Sequence, residues 1–167
     1  MTADEVVRLL QLQPHPVEGG FFRETYRSVG SIPEGTLPGY AGSRSVGTAI
    51  YYLLTPQTVS EMHRLPGDEV FHFYAGDAVE MLQIAPDGTA SRWVLGTDFA
   101  AGHHPQLVVT AGTWQGSALI SGGQWALLGA TMAPGFDYQD YVRGTRTELA
   151  PHAAPWDELL IKLTPHG

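Results

Sequence analysis

"EMHRLPGDEVFHFYAG", residues 61–76, packs two histidines, three carboxylates and a closing glycine into one short stretch. Polar groups at this density beside apolar ones either sit on a solvated hairpin or point into a pocket. Successive side chains of a strand face opposite ways. Glu61 and His63 therefore share one parity. Beyond the turn "RLPGD", Glu69, Phe71 and Phe73 share another, with Val70, His72 and Tyr74 facing away. If the turn lays 61–63 back beside 69–73, His63 and Glu69 meet inside a small barrel, beside two phenylalanines. The other reading is an ion pair on the surface of a hairpin. His72 has the wrong parity and reads as a packing or interface histidine, unless a bulge reverses the phase.

The rest of the chain fits a barrel. The 167 residues are enough for one domain with a real core. Twenty Gly and twelve Pro imply frequent turns, which disfavours a helical bundle. "TADEVVRLLQL" predicts a short helix over 3–12, opened by Thr2 or Asp4 and with Val6, Leu9 and Leu10 on one face. "FFRETYRSV" (21–29) alternates as a strand, 30–43 is a Gly/Pro-rich loop, and "SVGTAIYYLLT" (45–55) reads as one buried strand. Further strands are predicted over 58–63, 69–75, 78–84 and 89–95, with "PDG" (86–88) as a hairpin turn. "PQLVVTAGTWQGSALI" and "QWALLGATMAP" add more, and Pro155 opens a closing helix over about 155–164. Some eight to ten short strands, over about 20–142, with a helix at each end give a mainly β fold, a sandwich or barrel.

Composition narrows the function. The net charge of −8 argues against nucleic acid or an anionic membrane as partner. With no cysteine there is neither disulfide nor thiol chemistry. No leader or long apolar run is seen, so the expected location is the cytoplasm. P-loop, dinucleotide and nucleophile-elbow motifs are absent.

In an apolar pocket the pKa of a carboxylate such as Glu69 rises, while an imidazolium neighbour lowers it. Such a pair with His63 suits proton transfer near neutral pH. The same two groups could equally ligate a divalent metal. In the strand at 21–29, Phe22, Glu24 and Tyr26 share one face, and Arg23 lies on the other. Either Glu24 and Tyr26 meet a ligand, or Arg23 meets an anionic one, or the charges are simply solvated. His103 and His104 read as a solvated loop. Asp137 and Asp140, set among aromatics, could rim a pocket.

These residues resemble a known family. Glu69 and Gly76, with six residues between, look like the tail of the first cupin motif, and Glu61-Met62-His63 stands at its His-x-His position. "TAGTWQG" (110–116) is similar to the second motif, with Thr110 for its Pro, Gly112 kept, and Gln115 where its His would be. Together with "PHPVEGGFFRETYRS", "VLGTDFAAGHHPQLVV" and "APGFDY", the chain resembles the cupin-5 (DUF985) branch from about residue 10 to 160. The resemblance implies a double-stranded β-helix, or jelly roll, with a pocket inside, and a homodimer. It also implies a possible divalent metal site at His63, Glu69 and Gln115, with Glu61 adding an oxygen; so oxygen-rich a set holds Zn, Fe or Ni poorly. Sugar-nucleotide epimerases of the superfamily work without metal, and "EGGFFRET" is similar to their substrate-binding strand. Two functions follow. One is acid/base chemistry on a small polar, carbohydrate-like molecule, with His63 as base, Glu69 its orienter or second acid, Gln115 a substrate partner, and Tyr26 or Glu24 an acid across a pocket walled by Phe71 and Phe73. The other is a cupin that binds its ligand without turnover.

Overall fold

Thr2 starts the first helix. Its hydroxyl accepts the Glu5 N–H while the Glu5 carboxylate accepts the Thr2 N–H, a reciprocal cap. In the computed structural model, which describes residues 1–167, this helix (α1) spans Ala3–Leu10. It stops before the expected residue 12 because Gln11 turns left-handed. The strands follow as β1 (Gln13–Pro14), β2 (Phe21–Arg27), β3 (Ser31–Ile32), β4 (Arg44–Ser45), β5 (Thr48–Leu54), β6 (Ser60–Arg64) and β7 (Glu69–Gly76). Then come β8 (Val79–Ile84), β9 (Ala90–Leu95), β10 (Gln106–Val109), β11 (Trp114–Leu119), β12 (Ala126–Met132) and β13 (Val142–Arg143). Two helices close the chain, α2 (Arg146–Leu149) and α3 (Asp157–Leu163).

Two antiparallel sheets face one another, in the orders β1-β2-β5-β12-β7-β10 and β13-β6-β11-β8-β9. This is a jelly roll, as expected. The expected strand 45–55 is in fact two, broken at Val46–Gly47. Its first piece, β4, pairs with β3 and closes the 30–43 loop into a small ribbon. The α2 turn was not anticipated.

Burial follows the layers. Tyr52, Leu54, Phe71, Met81, Leu95 and Leu128 fill the space between the sheets. Met62, Leu82, Ile84 and Trp114 face outward, where α2 and α3 cover them with Leu149, Leu159, Leu160 and Leu163. That second layer explains why β11 is buried on both faces along its whole length and why β6 and β8 carry Met62, Leu82 and Ile84 on their outer faces. Val6 and Leu12 cover Leu53 on the outside of the first sheet. No helix is long and apolar enough to cross a membrane.

Three irregularities aim the interior side chains. In β6, His63 pairs with Gln115 and Ser60 with Ser117, so three steps on β6 match two on β11. This bulge sets Ser60 and His63 on the same side and breaks the parity that would have joined Glu61 to His63. Gly116 makes room for it: a Cβ there would lie 2.8 Å from Met62 Sδ and 2.9 Å from the Ser60 carbonyl oxygen. In β2 the register slips between Glu24 and Tyr26. Phe22, Glu24 and Arg27 then pair with Tyr52, Ile50 and Thr48. In β7 the slip falls after Phe73, opposite Leu127 and Leu128.

Candidate functional site

One end of the space between the sheets is polar. Glu69 enters from the first residue of β7, His63 from β6, Gln115 and Ser117 from β11, and Ser60 from the start of β6. All are at least nine-tenths buried. The turn before β2 adds His15 and Glu18. Gly19, at φ +92°, lets that turn press on β6, where a Cβ would collide with the Val59 carbonyl. The Glu61 N–H donates to the Glu18 carbonyl (2.9 Å), and Ser60 Oγ donates to Glu18 Oε1 (2.6 Å).

The hydrogen bonds assign the protons. His63 Nδ1 lies 2.7 Å from the Glu61 carbonyl, an acceptor, so Nδ1 carries the hydrogen. Nε2 then accepts from the Gln115 amide at 3.0 Å, and the same amide nitrogen donates to Glu69 Oε2 at 2.7 Å. Tyr141 stacks on the His63 ring, 4.8 Å between centroids. His15 has the opposite tautomer: Nδ1 accepts the Glu18 N–H at 3.0 Å, leaving its hydrogen on Nε2. Gln115 Oε1 and Ser117 Oγ are buried without partners.

Burial raises the Glu69 pKa well above the ordinary glutamate range, and the charge of Glu18 adds to this, against the opposing Gln115 hydrogen bond. Burial lowers the pKa of His15, with Glu18 opposing and His63 reinforcing. Desolvation raises Tyr52, Tyr138 and Tyr141.

A cavity of about 60 Å³ lies against this cluster, room for roughly two waters, and widens toward a mouth. Its walls carry Glu69, Glu18 and His15, with Phe22, Phe136 and Tyr138 around them. Glu24 and Arg27 stand at the wall as a pair, Arg27 donating to both Glu24 oxygens at 2.9 and 2.7 Å. The buried Arg44 grips Asp140 with two guanidinium nitrogens and ties the segment carrying Phe136 and Tyr138 to the β3–β4 ribbon.

The structure brings His63, Glu69 and Gln115 together and sets Glu24 on the same cavity. Four expectations need correction. Glu61 does not join His63; the β6 bulge turns it toward Arg143 and His166, each 3.4 Å away. Tyr26 is 57% exposed, because the β2 slip gives its place in the wall to Arg27. Phe71 and Phe73 belong to the apolar core and its edge and do not line the cavity. His63 and Gln115 lie behind Glu69, also outside the lining. His72 bonds Thr131 and Gln106 across β12 and β10, clear of the site. His15, Glu18, Ser60 and Tyr141 were missed, although "PHPVEGG" marked its turn with the paired glycines that hold Glu18 in place.

The donor set does not fit a resident metal as it stands. His63 Nε2 and Glu69 Oε2 converge on one atom, but that atom is an amide nitrogen whose hydrogens occupy both lone pairs. No group of three or more His, Asp or Glu side chains gathers to hold an ion. Opening the site to a metal would require flipping the Gln115 amide and displacing both bonds.

Two facing antiparallel sheets with a polar interior end define the double-stranded β-helix class. The family model described as "Cupin superfamily (DUF985)" matches residues 4–143, and the chain belongs to that family. An uncharacterised Saccharomyces cerevisiae protein is 30% identical over 134 residues, 74% of this chain and 66% of that protein, so the chain spans about two thirds of its length. A solved Shewanella oneidensis protein is 34% identical, with a TM-score of 0.83 over 98% of both chains. A hypothetical Leishmania major protein is 28% identical, with a TM-score of 0.86 over 98% of this chain and 99% of its own. Oxalate decarboxylase of Bacillus subtilis shares the fold alone, at 13% identity and a TM-score of 0.55 over 92% of this chain and 37% of that one.

Proposed function

We propose that the cavity takes up a small polar molecule and that Glu69 exchanges a proton with it. One observation carries this: Glu69 is buried on the cavity wall, with burial and the charge of Glu18 holding its carboxyl toward the protonated form. A neutral carboxylic acid beside a second carboxylate is the arrangement that assigns acid and base roles. Glu69 is the acid, and Glu18, steadied by Ser60, is the acceptor across the cavity. The role of base expected of His63 moves to this pair, since both nitrogens of His63 are engaged and its ring is off the cavity. His63 positions Gln115, and Gln115 positions Glu69. The reaction class this supports is proton transfer of the isomerase or epimerase kind, run without a metal.

The test is exchange of ligand hydrogens with deuterated water, followed by NMR, on ligands first found by thermal shift among small polyols, hydroxy acids and amines. Glu69→Gln should slow exchange by about 10²–10⁴ while binding persists. Exchange that survives the substitution removes Glu69 from the role. The closed His63–Gln115–Glu69 chain favours a second reading, binding without turnover; ligands that bind the wild type and never exchange would establish it.

A homodimer is part of the same proposal. His72, Tyr74 and Val108 lie on the outer face of the first sheet outside the cluster that α1 covers, and Tyr74 meets Tyr51, at the edge of that cluster, edge to face at 6.0 Å.

A further inference from the structure

Resting on the reading of the cavity as a ligand site, we infer that the group entering it is a small organic cation, a primary or secondary ammonium, and not a neutral hydroxyl compound or an anion. The charges in the wall point there. Three carboxylates reach the cavity, Glu18, Glu24 and Glu69. Arg27 is the cation among the lining residues, and it is spent: it grips both Glu24 oxygens and donates to the Phe136 carbonyl at 3.1 Å. His15 supplies no charge while its Nδ1 accepts the Glu18 N–H, because a proton there would break that bond. Glu18 and Glu69 are left without a cation.

Their oxygens are also short of donors. Glu69 accepts one bond, at Oε2 from Gln115; Oε1 receives none, although the residue is nine-tenths buried on the cavity wall. Glu18 Oε1 takes the Ser60 hydroxyl, whereas Oε2 has His15 Nε2 no nearer than 3.8 Å. An ammonium between them carries the N–H donors that both oxygens lack, and its charge pairs with Glu18 and draws Glu69, protonated in the free protein, to its ionised form, the proton leaving to solvent. The remaining wall suits the same guest. Phe136 and Tyr138 meet edge to face at 5.0 Å, and Phe22 lies against His15 at 4.6 Å, so ring faces and aliphatic side chains surround the acidic pair. Aromatic faces attract cations, and desolvation strengthens the effect. An anion would meet the Glu18 carboxylate in a low-dielectric space and be repelled. The enclosed volume of about 60 Å³ admits a head group of a few heavy atoms, with any larger remainder in the mouth.

The test uses the full chain in ¹H–¹⁵N NMR titrations with ethylammonium, ethanol, acetate, erythritol and Mg²⁺ as separate probes. The Gln115 side-chain amide and the backbone amides of Ser60 and Glu69 report. Ethylammonium should shift these signals saturably, with ethanol and acetate silent at equal concentration. Glu18→Gln, which keeps the Ser60 acceptor, should weaken ethylammonium by roughly tenfold or more. Glu69→Gln should weaken it in the same direction, so the claim survives if one variant fails to fold. Ethanol or erythritol binding as well as the amine would overturn the inference and leave the small-ligand reading standing. Acetate binding more tightly, or Mg²⁺ shifting the same signals, would overturn it equally. Silence from all five probes would remove the cavity as a ligand site and the inference with it.

Discussion

Gly116→Ala tests how the site is aimed. In an ordinary strand, alanine in place of glycine gains about 0.5–1 kcal/mol. Here the added methyl would sit 2.8 Å from Met62 Sδ, 2.9 Å from the Ser60 carbonyl oxygen and 3.1 Å from the Met62 nitrogen. The sulfur is a side-chain end and can swing away. The other two atoms are backbone of the β6 bulge, and moving them shifts Ser60 and His63. Overpacking of this kind costs about 1–3 kcal/mol. In a chain of this size each kcal/mol lowers Tm by about 2–4 °C, so calorimetry should show a fall of about 2–12 °C. The His63 ring resonances should move as well, since the bulge sets that ring against Gln115. A variant as stable as wild type, or more so, with unmoved His63 signals would refute the claim that Gly116 accommodates the bulge.

Asp140→Asn should cost about 3–5 kcal/mol by urea denaturation, because it strands the buried Arg44 guanidinium without its counter-charge. Glu69 should make stability depend on pH. Its raised folded pKa means its contribution is complete below about 4.5 and is lost as pH rises through the folded value, at up to about 1.4 kcal/mol per pH unit; Glu69→Gln should flatten that limb. His15 acts in the opposite sense. Its lowered folded pKa gives a contribution present above about 6.5 and lost as pH falls, so His15→Gln should soften the acid limb below that point. Light scattering at micromolar concentration should return the mass of two chains, and a monomer would count against the homodimer.

Strand alternation and turn chemistry made the jelly roll legible, because interior strands such as β7 and β11 must send alternate side chains inward. The same rule brought His63 and Glu69 to one interior end, and the resemblance to the second cupin motif added Gln115, which bridges them. The rule failed where the period of two is interrupted. The bulge in β6 turned Glu61 outward, and the slip in β2 exchanged Tyr26 for Arg27. A glycine inside the partner strand was the available sign of the first; nothing comparable marks the second. Phe71 has the right parity but lies deeper in the barrel, and parity says nothing about depth. His15 and Glu18 reach the site from a turn, where no periodicity applies and only the close approach at Gly19 fixes the direction.

The account turns on Glu69 being a buried acid held protonated at the cavity wall. Its carboxyl carbon can be followed directly, by ¹³C NMR across the pH range in which the protein stays folded. The midpoint should lie well above 4.5, and Glu18→Gln should bring it down by removing the neighbouring charge. A midpoint at or below 4.5, unmoved by Glu18→Gln, would contradict both the proton-donor role and the acidic pair on which the site is built.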